Sequence, residues 1–328
     1  MNIEVIAEIA QGYEGNEKLA ELLVQGSIAA NADSIKLQLI YAEELCVPSY
    51  QYFDLFKSLE MGDEIWHKLV NKVHGSGKNF YFDIYGERSL DLAYKLKVDG
   101  VKISTTDFYN FPLIEAAFSK FNNVFISAGG IEILDLDNLV NNFDLPEKLT
   151  FMHGFQAEPT LIKDNNLRRI ETLRNRFPNV NIGFMDHSAG NDPCASILPM
   201  VAIGLGATCI EKHISLDYKL ELEDYVSALS VDKFSRFTDN IRIIETALGS
   251  KELLLNAKEI EYKNRAGKVV VAKNHIEKGA IIIQENVCLK RVSTVPSVRH
   301  FSRIDDVLGK IATSKYDENI PLDSSFLK

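Results

Sequence analysis

The sequence predicts an α/β chain, a (β/α)8 barrel followed by a small β-rich unit. Three observations carry that expectation. Short β-rich runs alternate with amphipathic stretches, and eight such units in about 250 residues match the size of a closed barrel. The first run is followed by AEIAQGYEG, whose glycines are wrongly spaced for a dinucleotide loop, which disfavours the doubly wound open sheet. After Gly249 the character changes, first to a charged helical segment and then to short strands.

In order, the strands read VIAEIA (5–10), SIKLQL (34–39), NFYFDI (79–84), GVKIS (100–104), NVFISAG (123–129), LTFMHG (149–154), NIGFMDH (181–187) and ATCIEKHI (207–214). Each is rich in β-branched or aromatic residues and short enough for a barrel stave. Between them, NEKLAELLVQGSIAANA, DEIWHKLVNKVHGSG and NNLRRIETLRNRF repeat apolar residues at helical spacing. The expected organisation is a barrel over 1–250, a helical linker over 251–266 and a β-rich unit over 267–328 that turns at Glu277–Gly279. So small a unit is expected to pack against a barrel, its own or a partner's.

Composition narrows the classes. Charges interrupt every apolar run before the ~20 residues a membrane helix needs. The start, MNIEVIAEIA, lacks a basic segment followed by an apolar core, so no signal peptide is expected. Cys46, Cys194, Cys209 and Cys288 are far apart with no CxxC spacing. They read as reduced thiols of a cytoplasmic protein, neither a disulfide frame nor a zinc site. A formal net charge of −10 argues against nucleic acid or an anionic membrane as partner. An anionic small molecule remains compatible, because a few lysines in a cleft reverse the local potential.

Reactive groups of a barrel sit at the carboxyl ends of its strands. Glu8, Lys36, Gln38, Asp83, Lys102, Ser127, His153, Asp186, His187, Glu211 and His213 all fall there, with Thr105, Asp107 and Gln156 just beyond. Buried lysines and carboxylates left unpaired each cost several kcal/mol on an order-of-magnitude scale. Such a set therefore implies partners. Salt bridges among Lys36, Lys102, Glu8 and Glu211 can supply them without catalysis; a metal or charged ligand is the other source. His187 and His213, at the ends of neighbouring strands, are the best candidates to share a divalent ion. With only two firm ligands, an exchangeable Mn²⁺ or Mg²⁺ is expected. Asp186 and Glu211 are expected to orient the rings. Lys212 is expected to face outward by strand alternation, and His153 to be hydrogen-bonded scaffold.

The motifs AEI…G, ANADSIKLQ, KIST, SAG, MDH and IEKHISLD, in this order over about 300 residues, resemble the sialic acid synthase (N-acetylneuraminate synthase) family. The IEKH-x-x-LD element and its spacing from the DH motif are the specific part. The resemblance implies an enzyme that condenses phosphoenolpyruvate with an N-acetylhexosamine such as N-acetylmannosamine, aided by a divalent metal, often Mn²⁺. The products would be phosphate and a nine-carbon α-keto acid sugar. By resemblance His187 and His213 are the metal ligands. Lys36, Lys102 and Ser127 hold phosphoenolpyruvate, with Thr105 in the same substrate set. Glu8 is a carboxylate near the reacting carbons, and Gln38 and Asp224 contact the sugar. The C-terminal unit resembles an antifreeze-like (SAF) domain whose Arg291 enters the partner's site, which implies a domain-swapped homodimer.

The chain departs from the family pattern at several positions. GYEG (12–15) replaces NHNG, and FDIYG puts Asp83 where a phosphate-contacting threonine is usual. Met185 replaces the serine of SDH. HGFQAEP puts Gln156 for an asparagine and Glu158 for a sugar-contacting tyrosine. These changes bear most on the identity of the sugar. Three readings follow: a nonulosonic acid synthase, the same condensation on another sugar aldehyde, and a non-catalytic paralogue that binds sugar or phosphate. Retention of both histidines and both lysines argues against the last.

Overall fold

The computed structural model describes residues 2–143, 146–155, 157–293 and 299–328. It divides into two compact units, Met1–Gly249 and Ser250–Lys328.

In the first unit eight parallel strands close on themselves: β1 (Glu4–Ala10), β2 (Ser34–Gln38), β3 (Asn79–Ile84), β4 (Gly100–Ile103), β5 (Val124–Ser127), β6 (Leu149–His153), β7 (Asn181–Asp186) and β8 (Cys209–Ser215). The β1–β8 pairing completes the ring and sets Glu8 opposite His213. A two-residue strand, β9 (Leu229–Ser230), extends β8 on its far side.

Each strand is followed by a helix that packs outside the ring. The Glu17–Ala29 helix shows why it forms. Asn16 caps it by accepting from Leu19 N at 3.0 Å, and Ala20, Leu23, Val24 and Ser27 make one buried stripe at three- and four-residue spacing. Truncating Leu23 to Ala would cost about 2–5 kcal/mol. Asn110 caps the Phe111–Lys120 helix the same way, with a proline in its first turn.

Strand parity decides what fills the lumen. At the amino end Glu4 accepts hydrogen bonds from Tyr81 Oη at 2.6 Å and from Ser34 Oγ. Above it lies an apolar belt of Ile6, Tyr81, Phe125, Met152, Met185 and Cys209. The next inward positions towards the carboxyl ends are Glu8, Lys36, Asp83, Lys102, Ser127 and Glu211, all buried. The belt separates this charged layer from the opposite end of the barrel.

The second unit has its own core of Val270, Ala272, Ile276, Ile282, Val287, Val307, Ala312, Tyr316 and Leu322. The antiparallel pair β10 (Val269–Ala272) and β11 (Val287–Lys290) runs through it, and Ala280 N closes a turn on Glu277 O. Residues Ala257–Ala266 form a capped helix with no buried side chain. Among the described residues no helix is long and apolar enough to cross a membrane.

Candidate active site

The charged layer is a network of buried ion pairs. Lys36 Nζ contacts Glu8, lies 2.7 Å from Asp83 Oδ2 and 3.5 Å from Glu211 Oε2. Lys102 Nζ lies 2.6 Å from Glu211 Oε1 and 3.9 Å from Asp83 Oδ2. The salt-bridge partners expected for the lysines are thus present, and Asp83, the departure from the family threonine, meets both of them. Burial opposes the charge on each group. For Glu211 the two lysines outweigh burial and hold its carboxyl down at about 2. Burial dominates at Lys36, pushing it below the usual lysine value against the pull of Asp83 and Glu211. Lys102, equally buried, is held above that value by Asp83 and Glu211.

The histidine pair stands at the rim of this layer. The rings of His187 and His213 lie 5.1 Å apart, centre to centre, at 59°. Burial first, then nearby lysines, pushes His187 down to about 4; burial and the neighbouring His187 push His213 well below its ordinary value. Both imidazoles are therefore neutral at pH 7, the form that ligates a metal. Neither Nδ1 has a hydrogen-bond partner, although both atoms are buried. Glu158 joins them: one ligand atom from each of Glu158, His187 and His213 lies within 4.8 Å of the others. Two neutral imidazoles with orphaned nitrogens, and a carboxyl that can give up its proton to a cation, fit a divalent ion.

Two expectations about the neighbours need correction. Asp186 and Glu211 do not orient the rings, because Asp186 is taken by Lys212 at 3.0 Å and Glu211 by Lys102. Lys212 leaves the lumen as strand alternation requires, but it stays inside the protein, fully buried, with Nζ donating to Ser188 O at 2.9 Å. His153 is scaffold as expected, with Nε2 bonded to Asn165 O at 2.9 Å.

The remaining candidates fall in two groups. Thr105 and Ser127 hydroxyls meet at 2.8 Å, and Thr105 Oγ1 donates to Gly129 O at 2.9 Å, across the mouth from the histidines' strands. Gln38 Oε1 accepts from Gln11 Nε2 at 2.9 Å, and Gln11 N donates to Asp224 Oδ2 at 3.3 Å. Gln11 thereby ties the two expected sugar contacts together. Sequence reasoning passed over it, though its place just beyond the first strand could have flagged it. Gln156 lies outside the described residues. Arg291 is in the second unit, exposed, with Nε donating to Ala266 O at 3.0 Å.

The loops that carry Glu158 and Asp224 are both fastened to one atom. The carbonyl of His187 accepts from Thr160 N at 2.8 Å and from Ser227 Oγ at 2.8 Å. The chain after His187 then runs so close to the 226–228 turn that a Cβ on Gly190 would sit 1.9 Å from Ala228 O. Glu158 and Asp224 share a side-chain hydrogen bond, and the Glu158 carboxyl is pushed up to about 8 by lost hydration and by that neighbour.

A closed barrel with buried lysines and a metal-competent histidine pair at one mouth defines an enzyme site of the carboxyl-end barrel class. Residues 23–253 match the NeuB family. The N,N'-diacetyllegionaminic acid synthase of Legionella pneumophila is 26% identical over 314 residues, covering 90% of this chain and 86% of the relative. The pseudaminic acid synthase of Campylobacter jejuni is 27% identical over 301 residues, covering 86% of this chain and 85% of that one. The crystal structure of an N-acetylneuraminic acid (sialic acid) synthetase from Leptospira borgpetersenii superposes with a TM-score of 0.74 at 26% identity, over 80% of this chain and 92% of the other. The chain belongs to the NeuB family, the sialic acid synthase group its motifs resemble, and is an enzyme.

Proposed function

We propose that the protein condenses phosphoenolpyruvate with an amino-sugar aldehyde to give a nonulosonic acid and phosphate. The acceptor is an N-acetylhexosamine, N-acetylmannosamine or a modified relative. In balance, the enol carbon of phosphoenolpyruvate bonds to the aldehyde carbon, water adds at the carbon bearing the phosphate, and phosphate leaves. The observation that carries this reading is the meeting of Lys36 and Lys102 with the neutral pair His187 and His213 at one barrel mouth, in a NeuB chain.

Lys36 and Lys102, with the Thr105 and Ser127 hydroxyls, hold the phosphate and carboxylate of phosphoenolpyruvate. Glu8, in contact with Lys36 and paired across the β1–β8 seam with His213, is a carboxylate near the reacting carbons. Gln38 and Asp224 hold the sugar, and Gln156 belongs to the substrate-binding set. A divalent ion, Mn²⁺ or Mg²⁺, held by His187 and His213 supplies a Lewis acid for the aldehyde oxygen. Orienting both reactants at one mouth removes much of the entropic barrier to their encounter. The second unit acts as an antifreeze-like domain whose Arg291 completes the partner's site in a domain-swapped homodimer, working in the cytoplasm.

The test is phosphate release from phosphoenolpyruvate with Mn²⁺ and a panel of hexosamines. Release with one acceptor is expected. No turnover with any aldehyde, from folded protein with metal bound, would favour the binding paralogue instead.

A further inference from the structure

We propose that Glu158 is a third protein ligand of the metal, converting a two-histidine site into one with two histidines and a carboxylate. This rests on the metal site proposed above. Where family members have a tyrosine that contacts the sugar, this chain places a group that can ligate.

Three independent features support it. Glu158 offers an oxygen within 4.8 Å of ligand atoms on both histidines, a spacing that one ion can bridge. His213 is only 5% exposed and its Nδ1 lacks any hydrogen-bond partner, so the ring holds a buried nitrogen whose bonding capacity is unmet. The Glu158 loop is not free to swing. Thr160 N is bonded to the carbonyl of His187 itself, and Thr160 Oγ1 donates to Ala157 O at 2.9 Å, so the turn carrying Glu158 is fixed to the ligand's own backbone. Asp224, hydrogen-bonded to Glu158, then acts as a positioning residue that holds the carboxylate. Two histidines and one carboxylate leave open positions for substrate oxygens.

The experiment measures Mn²⁺ affinity of the full chain without substrates, by electron paramagnetic resonance of the free ion. Glu158→Gln keeps the size of the side chain and should weaken Mn²⁺ binding by about tenfold or more, the scale for losing a group that anchors a metal site. Asp224→Asn keeps a side chain that can hydrogen-bond Glu158 and removes no ligand, and should weaken it by less than about fivefold, the scale of one charge pair. Unchanged affinity in Glu158→Gln, with His213→Ala still abolishing binding, overturns the third ligand and leaves the histidine site standing. Equal weakening in both carboxylate variants also overturns it, because a residue that only positions a ligand should cost less than the ligand itself. Failure of the unaltered protein to bind Mn²⁺ overturns the histidine site and this inference together.

Discussion

Lys102 Nζ lies 2.6 Å from Glu211 Oε1 inside the barrel, with both side chains almost wholly shielded from water. Removing one member leaves the other as an uncompensated buried charge. Lys102→Ala should therefore destabilise the barrel by about 3–5 kcal/mol in urea unfolding. A change below about 1 kcal/mol would mean that water reaches Glu211 more readily than its burial implies.

The same layer leads to a prediction about the order of binding in the proposed reaction. Glu8, Asp83 and Glu211 face Lys36 and Lys102, three carboxylates against two ammonium groups. Counted by residue type the layer has one more acid than base, so on the proposed function a cation bound at the histidines should favour the entry of anionic phosphoenolpyruvate. Calorimetry should show that phosphoenolpyruvate binds at least about tenfold more weakly after chelation than with Mn²⁺ present. Equal affinity in the two conditions would refute this charge argument.

His213→Ala should abolish phosphate release while leaving circular dichroism unchanged. The loss of stability should stay under about 2 kcal/mol, because the Nδ1 atom makes no hydrogen bond to be broken. Full activity in this variant would remove the metal from the proposed chemistry.

Acid should weaken the metal-free protein through His187. The unfolded chain takes up a proton near pH 6.5, whereas burial holds the folded group down at about 4. Its contribution is complete above pH 6.5 and is lost as pH falls towards 4, since only the unfolded state binds the proton in that window. Urea midpoints measured from pH 7 to 4.5 should fall less steeply for His187→Gln than for the unaltered chain. Parallel slopes would mean that His187 is protonated in the folded state.

Arg291→Ala should weaken acceptor binding more than phosphoenolpyruvate binding, read as separate KM values. Equal loss for both would undercut the proposed reach of the second unit into a partner's site.

Runs of β-branched and aromatic residues between amphipathic stretches made all eight barrel strands legible, because both signals are local. Their place at the carboxyl ends of those strands marked Glu8, Lys36, Lys102, Glu211 and His213 as one set. What it could not reveal is which charge meets which. Lys36 is 47 residues from Asp83, Lys102 is 109 from Glu211, and ring closure alone decides that all four share one layer. For that reason Asp186 was expected at the imidazoles and is found on Lys212. Glu158 and Gln11 belong to loops, which carry no periodic signal, and their positions depend on hydrogen bonds to distant backbone and side chains. Local chemistry chose the strands and their inward faces; the closing of the barrel, which brings remote side chains within Coulombic reach, decided their partners.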